Sequence, residues 1–180
     1  MKKILMIIPL ALILCFMVGC QDKEAMAELE EMKAQAEVEA QNEALIKRFI
    51  EELNKGNTEI INELYAPDYV YYIPSRRTKP MSREETLEMM KNLYRAFPDL
   101  NWSIEELITV GDRVIYRFIA RGTHKEEFGG IPATGNKIES SGILITRIEN
   151  GKVIEEREEF DMLGLMQQLG MELKPKEGKK

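Results

Sequence analysis

The sequence predicts an α+β domain, because helical periodicity fills the first half of the chain and strand periodicity fills the second. Apolar residues fall at helical spacing over 45–53 and again over 82–97. The second of these segments begins with Ser82-Arg83-Glu84-Glu85, which has the spacing of a capping box. Helices followed by an antiparallel meander are typical of α+β domains.

The strands are predicted after Pro98, where the period of the apolar residues changes. They are expected near 101–110, 113–125, 137–149 and 152–161. Two turns separate them most sharply, at Gly111-Asp112 and at Asn150-Gly151, and Asn-Gly is a strong hairpin signal. These segments predict a curved antiparallel sheet packed against the helices, with a cavity at its open end.

Shorter elements complete the predicted order. Gly56 is placed as the C-cap of the helix that includes 45–53, and a short helix follows over about 58–65. A brief strand is predicted over residues 69–73, and a basic loop is predicted over residues 74–80. The chain then closes with an apolar helical stretch over 162–169.

Composition excludes several functional classes. The 180 residues include 25 Lys and Arg against 31 Asp and Glu, so the net charge is −6. An acidic chain lacks the basic face that phosphate binding requires, so no nucleic-acid partner is expected. One histidine and two cysteines leave little for a zinc site or a Cys/His nucleophile pair. We therefore expect no metal site.

The N-terminus has the layout of a secretion signal. Lys2 and Lys3 precede an apolar run from Ile4 to Val18, which is shorter than the about 20 residues of a spanning helix. The run ends Met17-Val18-Gly19-Cys20, which resembles a bacterial lipobox. This resemblance predicts a lipid-anchored, extracytoplasmic protein at the cell membrane, attached through Cys20. An uncleaved anchor and a plain secreted protein are the alternatives.

Four segments follow from this organisation. Residues 1–19 are predicted to be a lipoprotein signal peptide and residues 20–41 a solvated helical spacer. Residues 42–172 form the folded domain. A basic tail occupies 173–180.

Six motifs in register carry a family resemblance. They are Phe97-Pro98-Asp99-Leu100, Gly111-Asp112-Arg113-Val114, Gly122-Thr123-His124, Gly130-Ile131-Pro132-Ala133-Thr134-Gly135, Arg147-Ile148-Glu149-Asn150-Gly151-Lys152 and the segment from Asp161 to Gly170. The chain thereby resembles the SnoaL-like polyketide cyclase (ester cyclase) family over residues 42–172. The resemblance implies the cone-shaped α+β fold of nuclear transport factor two. It also implies ring closure by intramolecular aldol condensation, without metal or cofactor.

The resemblance assigns Asp161 as the catalytic acid/base. Strand alternation places Asp161 on one face with Val153 and Arg157, and we expect this carboxyl to lie buried at the floor of the cavity. Arg157 stands where the family usually has tryptophan, and Glu159 is its expected partner. Two alternatives remain: Asp161 as the N-cap of the closing helix, and the charged residues of this strand as a solvated ladder.

The other candidate site residues come from the apolar faces of the strands. His124 shares the face of Phe118, so it is predicted to line the cavity and assist Asp161, or else to be a hydrogen-bonded core residue. Arg147 either points into the cavity or pairs with an acid. Tyr71 and Trp102 are placed at the cavity wall, with ordinary core packing as the alternative.

The sequence supports two candidate functions, and a third is an alternative to both. The first is a cofactor-free cyclase or related proton-transfer enzyme with Asp161 and His124 at its centre and Arg147, Tyr71, Trp102, Arg157 and Phe118 around the substrate. The second is a lipid-anchored module that binds a hydrophobic small molecule without chemistry. The third is an interaction domain that forms a homodimer through the open face of its sheet.

Overall fold

A computed structural model describes the backbone of residues 7–73, 79–172 and 174, and within these ranges it describes side chains from residue 23 onwards. The chain divides into two units, Met1–Val38 and Glu39–Lys180. In the first unit, residues 23–38 are helical and their side chains are exposed. No helix among the residues with described side chains is long and apolar enough to cross a membrane. Cys20 and most of the tail over 173–180 lie outside the described side chains.

The order of elements confirms the predicted α+β class. The helices are α1 (Ile7–Asn54), α2 (Ile60–Leu64), α3 (Arg83–Ala96) and α4 (Met162–Gln168). The strands are β1 (Tyr65–Tyr72), β2 (Met81–Ser82), β3 (Asn101–Val110), β4 (Arg113–Thr123), β5 (Lys137–Glu149) and β6 (Lys152–Phe160). The predicted capping box is present at α3, where Ser82 and Glu85 exchange side-chain and backbone hydrogen bonds.

The six strands form one curved, unclosed sheet in the order β2-β1-β6-β5-β4-β3. Strands β3 to β6 are the predicted antiparallel meander. The sheet is mixed, however, because β1 pairs in parallel with β6. This one pair departs from the expected antiparallel arrangement, because α2 delivers the chain to β1 beside the last strand.

The main core lies between the inner face of the sheet and the helices. Alternate residues of β5 are buried from Ile138 to Ile148, and the residues between them face outward. The C-terminal part of α1 supplies Ile46, Phe49 and Leu53 to the same core. The inner face of β5 is therefore shielded from solvent, and the inner face of the sheet holds the candidate site.

One irregularity in β6 decides which side chains reach the inner face. Arg147 of β5 lies opposite Glu155, but the next residue, Ile148, lies opposite Val153. Ile154 is thus an extra residue in β6, which is a β-bulge. The bulge reverses the alternation, so that Val153 and Glu156 are both buried although an odd number of positions separates them.

Candidate functional site

Two neighbouring chambers open along the inner face of the sheet. The first, the Glu156 chamber, has a volume of about 50 Å³ and lies beside Phe49, Leu53 and Tyr116. The second, the Ser140 chamber, has a volume of about 190 Å³ and lies beside Phe97, Ala120 and Leu165. Both chambers are lined by Tyr71, Met89, Met90, Trp102, Phe118 and Glu158.

The walls of these chambers are apolar and carry no basic side chain. Neither lining set contains Lys, Arg or His, and the ionisable carboxyls in them are Glu156 and Glu158. Trp102 satisfies its own ring nitrogen, which donates to the Tyr94 hydroxyl at 3.0 Å. No basic side chain of these walls would therefore compensate the charge of an anionic ligand, whereas an uncharged or apolar molecule suits them.

Glu156 is buried and held by three hydroxyl donors. The Tyr69 hydroxyl donates to Oε2 at 2.6 Å, the Tyr65 hydroxyl to the same oxygen at 3.1 Å, and the Thr146 hydroxyl to Oε1 at 3.1 Å. Burial raises the pKa of Glu156 to about 7, although the three hydrogen bonds oppose that rise. The donors fix this carboxyl in place and leave it little freedom to approach a ligand.

Glu158 lies on the same face of β6 with a different environment. It is partly exposed, and it borders both chambers. Within the part of the chain that has described side chains, no group donates a hydrogen bond to its carboxyl. Burial, together with the negative charge of Glu159, raises the pKa of Glu158 to about 8. A carboxyl of this kind can exchange a proton with a ligand near neutral pH.

Asp161 does not lie in the chambers, so the expectation of a buried carboxylate at the cavity floor is wrong. Its side chain is exposed, and Oδ1 accepts a hydrogen bond from the Gly164 backbone N–H at 2.8 Å. Asp161 is therefore the N-cap of α4. The bulge at Ile154 is the physical reason, because it turns Glu156 and Glu158 inward where unbroken alternation would turn Arg157 and Asp161.

Both arginines of the predicted site lie on the outer face of the sheet. Arg157 is exposed, pairs with Glu155 at 3.0 Å and lies over the Tyr72 ring at 4.2 Å. Its expected partner, Glu159, is not the one it binds. Arg147 forms an ion pair with Glu149 at 3.6 Å and lines neither chamber. Neither arginine lies where it could contact a molecule in the chambers. The prediction that they contact a substrate there is therefore wrong.

His124 lies on the predicted inner face and is fully buried, but it borders neither chamber. Its ring stacks on Phe97 with 5.2 Å between ring centres. The Thr134 backbone N–H donates to Nδ1 at 3.3 Å, which ties the loop after β4 to the core. The predicted role of assisting at the cavity is therefore replaced by the alternative of a hydrogen-bonded core residue.

Tyr71, Trp102 and Phe118 do meet in the chambers. All three belong to the set that lines both of them, and the rings of Trp102 and Phe118 lie 5.2 Å apart. Gly142 permits this arrangement, because a Cβ there would come within 2.6 Å of Cζ of Phe118. The sequence thus predicts these three aromatic residues at the cavity wall, but it does not predict Glu156 and Glu158 beside them.

The capping role of Asp161 gives a direct prediction. We expect Asp161→Ala to lower the free energy of unfolding by about 1 kcal/mol, because the Gly164 N–H loses its acceptor. Asp161→Ser keeps a capping oxygen and should retain most of the stability. Urea denaturation of the two variants measures the difference. Loss of turnover in a stably folded Asp161→Ser protein would contradict this account of Asp161 and indicate a catalytic role.

No group of three or more His, Cys, Asp and Glu that could hold a metal ion occurs among the side chains described. The chambers are characterised by their shape and by their carboxyls. They bring together an aromatic wall, one carboxyl anchored by hydroxyls and one carboxyl without a donor. This arrangement can bind an apolar molecule and move a proton on it.

Comparisons with known proteins show which family and fold the chain is similar to. The family model described as SnoaL-like polyketide cyclase matches residues 44–169. IdmH of Streptomyces antibioticus, a candidate polyketide cyclase, is 31% identical with a TM-score of 0.64, and the match covers 72% of this chain and 99% of that one. AclR of Streptomyces galilaeus, a candidate hydroxylase, is 27% identical with a TM-score of 0.68, covering 73% and 97% of the two chains.

A third solved structure supports the fold alone. It is a SnoaL-like candidate cyclase from Jannaschia sp. CCS1, which is 22% identical with a TM-score of 0.68 and is covered over 96% of its length. This match covers 76% of the present chain. No curated protein sequence matches the chain significantly.

Proposed function

Because the chain belongs to the SnoaL-like polyketide cyclase family, we propose that it binds an uncharged, apolar small molecule in the two chambers and moves a proton on it with the carboxyl of Glu158. The observation that carries this proposal is the environment of Glu158. The residue lines both chambers, its carboxyl receives no hydrogen bond from a described side chain, and the pKa of this carboxyl is raised to about 8. A general base works best when its pKa lies near the working pH.

The reaction proposed is ring closure by intramolecular aldol addition. The Glu158 carboxylate removes a proton from a carbon beside a ligand carbonyl, and the resulting enolate attacks a second carbonyl of the same molecule. One carbon–carbon bond forms, and the new alkoxide takes back the proton that Glu158 holds. Substrate and product therefore have the same mass, and no oxidant, reductant or cofactor enters the balance.

Different residues of the chain have different roles in the proposed reaction. The aromatic wall of Tyr71, Trp102 and Phe118 holds the flexible ligand folded, which brings the reacting carbons together. The apolar surroundings raise the pKa of Glu158 towards the working pH. Glu156 is held by its three hydroxyl donors and acts as a fixed part of the wall.

Mass spectrometry of the molecules that co-purify with the full chain tests this proposal. We expect an apolar compound that carries carbonyl groups and no acidic group. Returned to fresh protein, it should yield a product of equal mass and different retention time. Ala120→Leu fills part of the Ser140 chamber, since Ala120 is buried in its wall, and should remove the compound. Ala133→Leu, at an exposed position, is the matched control.

An acidic compound, or one retained by Ala120→Leu as fully as by Ala133→Leu, would contradict binding in the chambers. A compound that is bound but never converted would support the alternative of a non-catalytic binding module. One sequence feature favours this alternative, namely the lipobox-like Met17-Val18-Gly19-Cys20. Such an anchor would hold the protein at a membrane surface, and it stays a prediction because Cys20 lies outside the described side chains.

A further inference from the structure

Ser140 places an unpartnered hydroxyl in the wall of the Ser140 chamber. The residue is on the inner face of β5 and is only 5% exposed. Within the described part of the chain, its Oγ has no hydrogen-bond partner. A buried hydroxyl without a partner costs about 1–3 kcal/mol, whereas alanine at the same position would avoid that cost. The hydroxyl is thus available to a molecule that occupies the chamber.

Glu158 is another polar group of this chamber that accepts no side-chain hydrogen bond among the described residues, and it lies at a distance from Ser140. Glu158 is opposite Leu144, and Ser140 lies four positions further along β5 on the same face. Strand geometry separates the two Cα atoms by roughly 14 Å. Apart from polar atoms of Tyr71 and Trp102, the walls between these two groups are apolar.

We propose that Ser140 is a specificity-determining residue that hydrogen-bonds an oxygen at the far end of the ligand while Glu158 meets the reacting end. The ligand class is then an uncharged, apolar molecule with a hydroxyl or carbonyl oxygen at each end. The two oxygens lie on the order of 10 Å apart. This inference rests on the proposed function, because it requires that the chambers hold a ligand.

Two alcohols of equal chain length test the role of Ser140. The probes are α,ω-octanediol, which carries a hydroxyl at each end, and octanol, which carries one. Trp102 is the single tryptophan of the chain and borders the chamber, so its fluorescence reports binding. We expect the wild-type full chain to prefer the diol, and Ser140→Ala to weaken diol binding roughly five- to tenfold while leaving octanol binding unchanged.

Ser141 provides the matched control, because it is the next residue of β5 and its side chain is exposed. Ser141→Ala should leave both affinities unchanged. Ser140→Cys, which keeps the size of the side chain but is a weak donor, should lose the preference for the diol as Ser140→Ala does. The preference therefore remains measurable if one of the two Ser140 variants folds poorly.

Two results overturn this inference while leaving the proposed function intact. One is that octanol and the diol bind the wild-type protein equally well. The other is that the preference for the diol survives in both Ser140 variants. If neither alcohol changes the Trp102 fluorescence at any concentration, the chambers do not admit such ligands, and the proposed function fails together with the inference.

Discussion

Glu158→Gln is expected to reduce turnover of the bound compound by roughly a hundredfold to ten-thousandfold, which is the usual contribution of a positioned general base. Glutamine has nearly the shape of glutamic acid but cannot accept and return a proton. Affinity for the ligand should change little, because the protonated carboxyl is already uncharged. The measurement is a single-turnover assay beside a binding titration on the same protein.

Glu159→Gln is the matched control for this experiment. Glu159 is the neighbouring residue of β6, and its side chain is exposed on the outer face.

Wild-type turnover should also increase as the pH rises through about 8, because the ionised form of Glu158 removes the proton. Full turnover in Glu158→Gln, or equal losses in the two variants, would contradict the assignment of Glu158 as the base.

The free energy of unfolding is expected to fall as the pH rises from about 5 to about 9. Glu156 and Glu158 have folded-state pKa values of about 7 and about 8, against an ordinary value of 4.5. Between the ordinary and the raised values the folded protein binds more protons than the unfolded chain, so stability falls as the pH rises. For Glu156 this loss is on the order of 3 kcal/mol.

Chemical denaturation at a series of pH values measures this dependence. Glu158→Gln should remove the part of the loss that occurs towards pH 8, because the variant has no carboxyl to ionise there. Glu159→Gln should leave most of the pH dependence in place. Stability that is constant or rises across this range would show that neither carboxyl is buried in the folded protein.

The architecture could be predicted from the sequence because the local signals agree with one another. Helical spacing, the capping box at Ser82 and the Asn150-Gly151 turn all lie where the structure has the corresponding elements. The inner face of β4 also follows from simple alternation, which correctly places Phe118 inward. The parallel pairing of β1 with β6 could not be predicted, because strand pairing between distant segments leaves no local pattern.

Simple alternation does not predict the two buried carboxyls of the candidate site, because a β-bulge interrupts the alternation in β6. Glu155, Glu156, Glu158 and Glu159 form a charged run that is typical of a solvated strand, and nothing in their order marks the buried pair. One signal was available. Val153 and Phe160 are both apolar but an odd number of positions apart, so they can share the inner face only if an extra residue intervenes. Ile154 is that residue.

The proposed proton transfer depends on the titration of Glu158, which can be measured. NMR spectroscopy of the side-chain carboxyl carbons, with Glu158→Gln to identify the resonance, follows this group as the pH changes. We expect one glutamate that titrates near pH 8 and whose resonance shifts when octanol or the co-purified compound is added. A Glu158 resonance that titrates near the ordinary value of 4.5 and ignores added ligand would contradict this expectation.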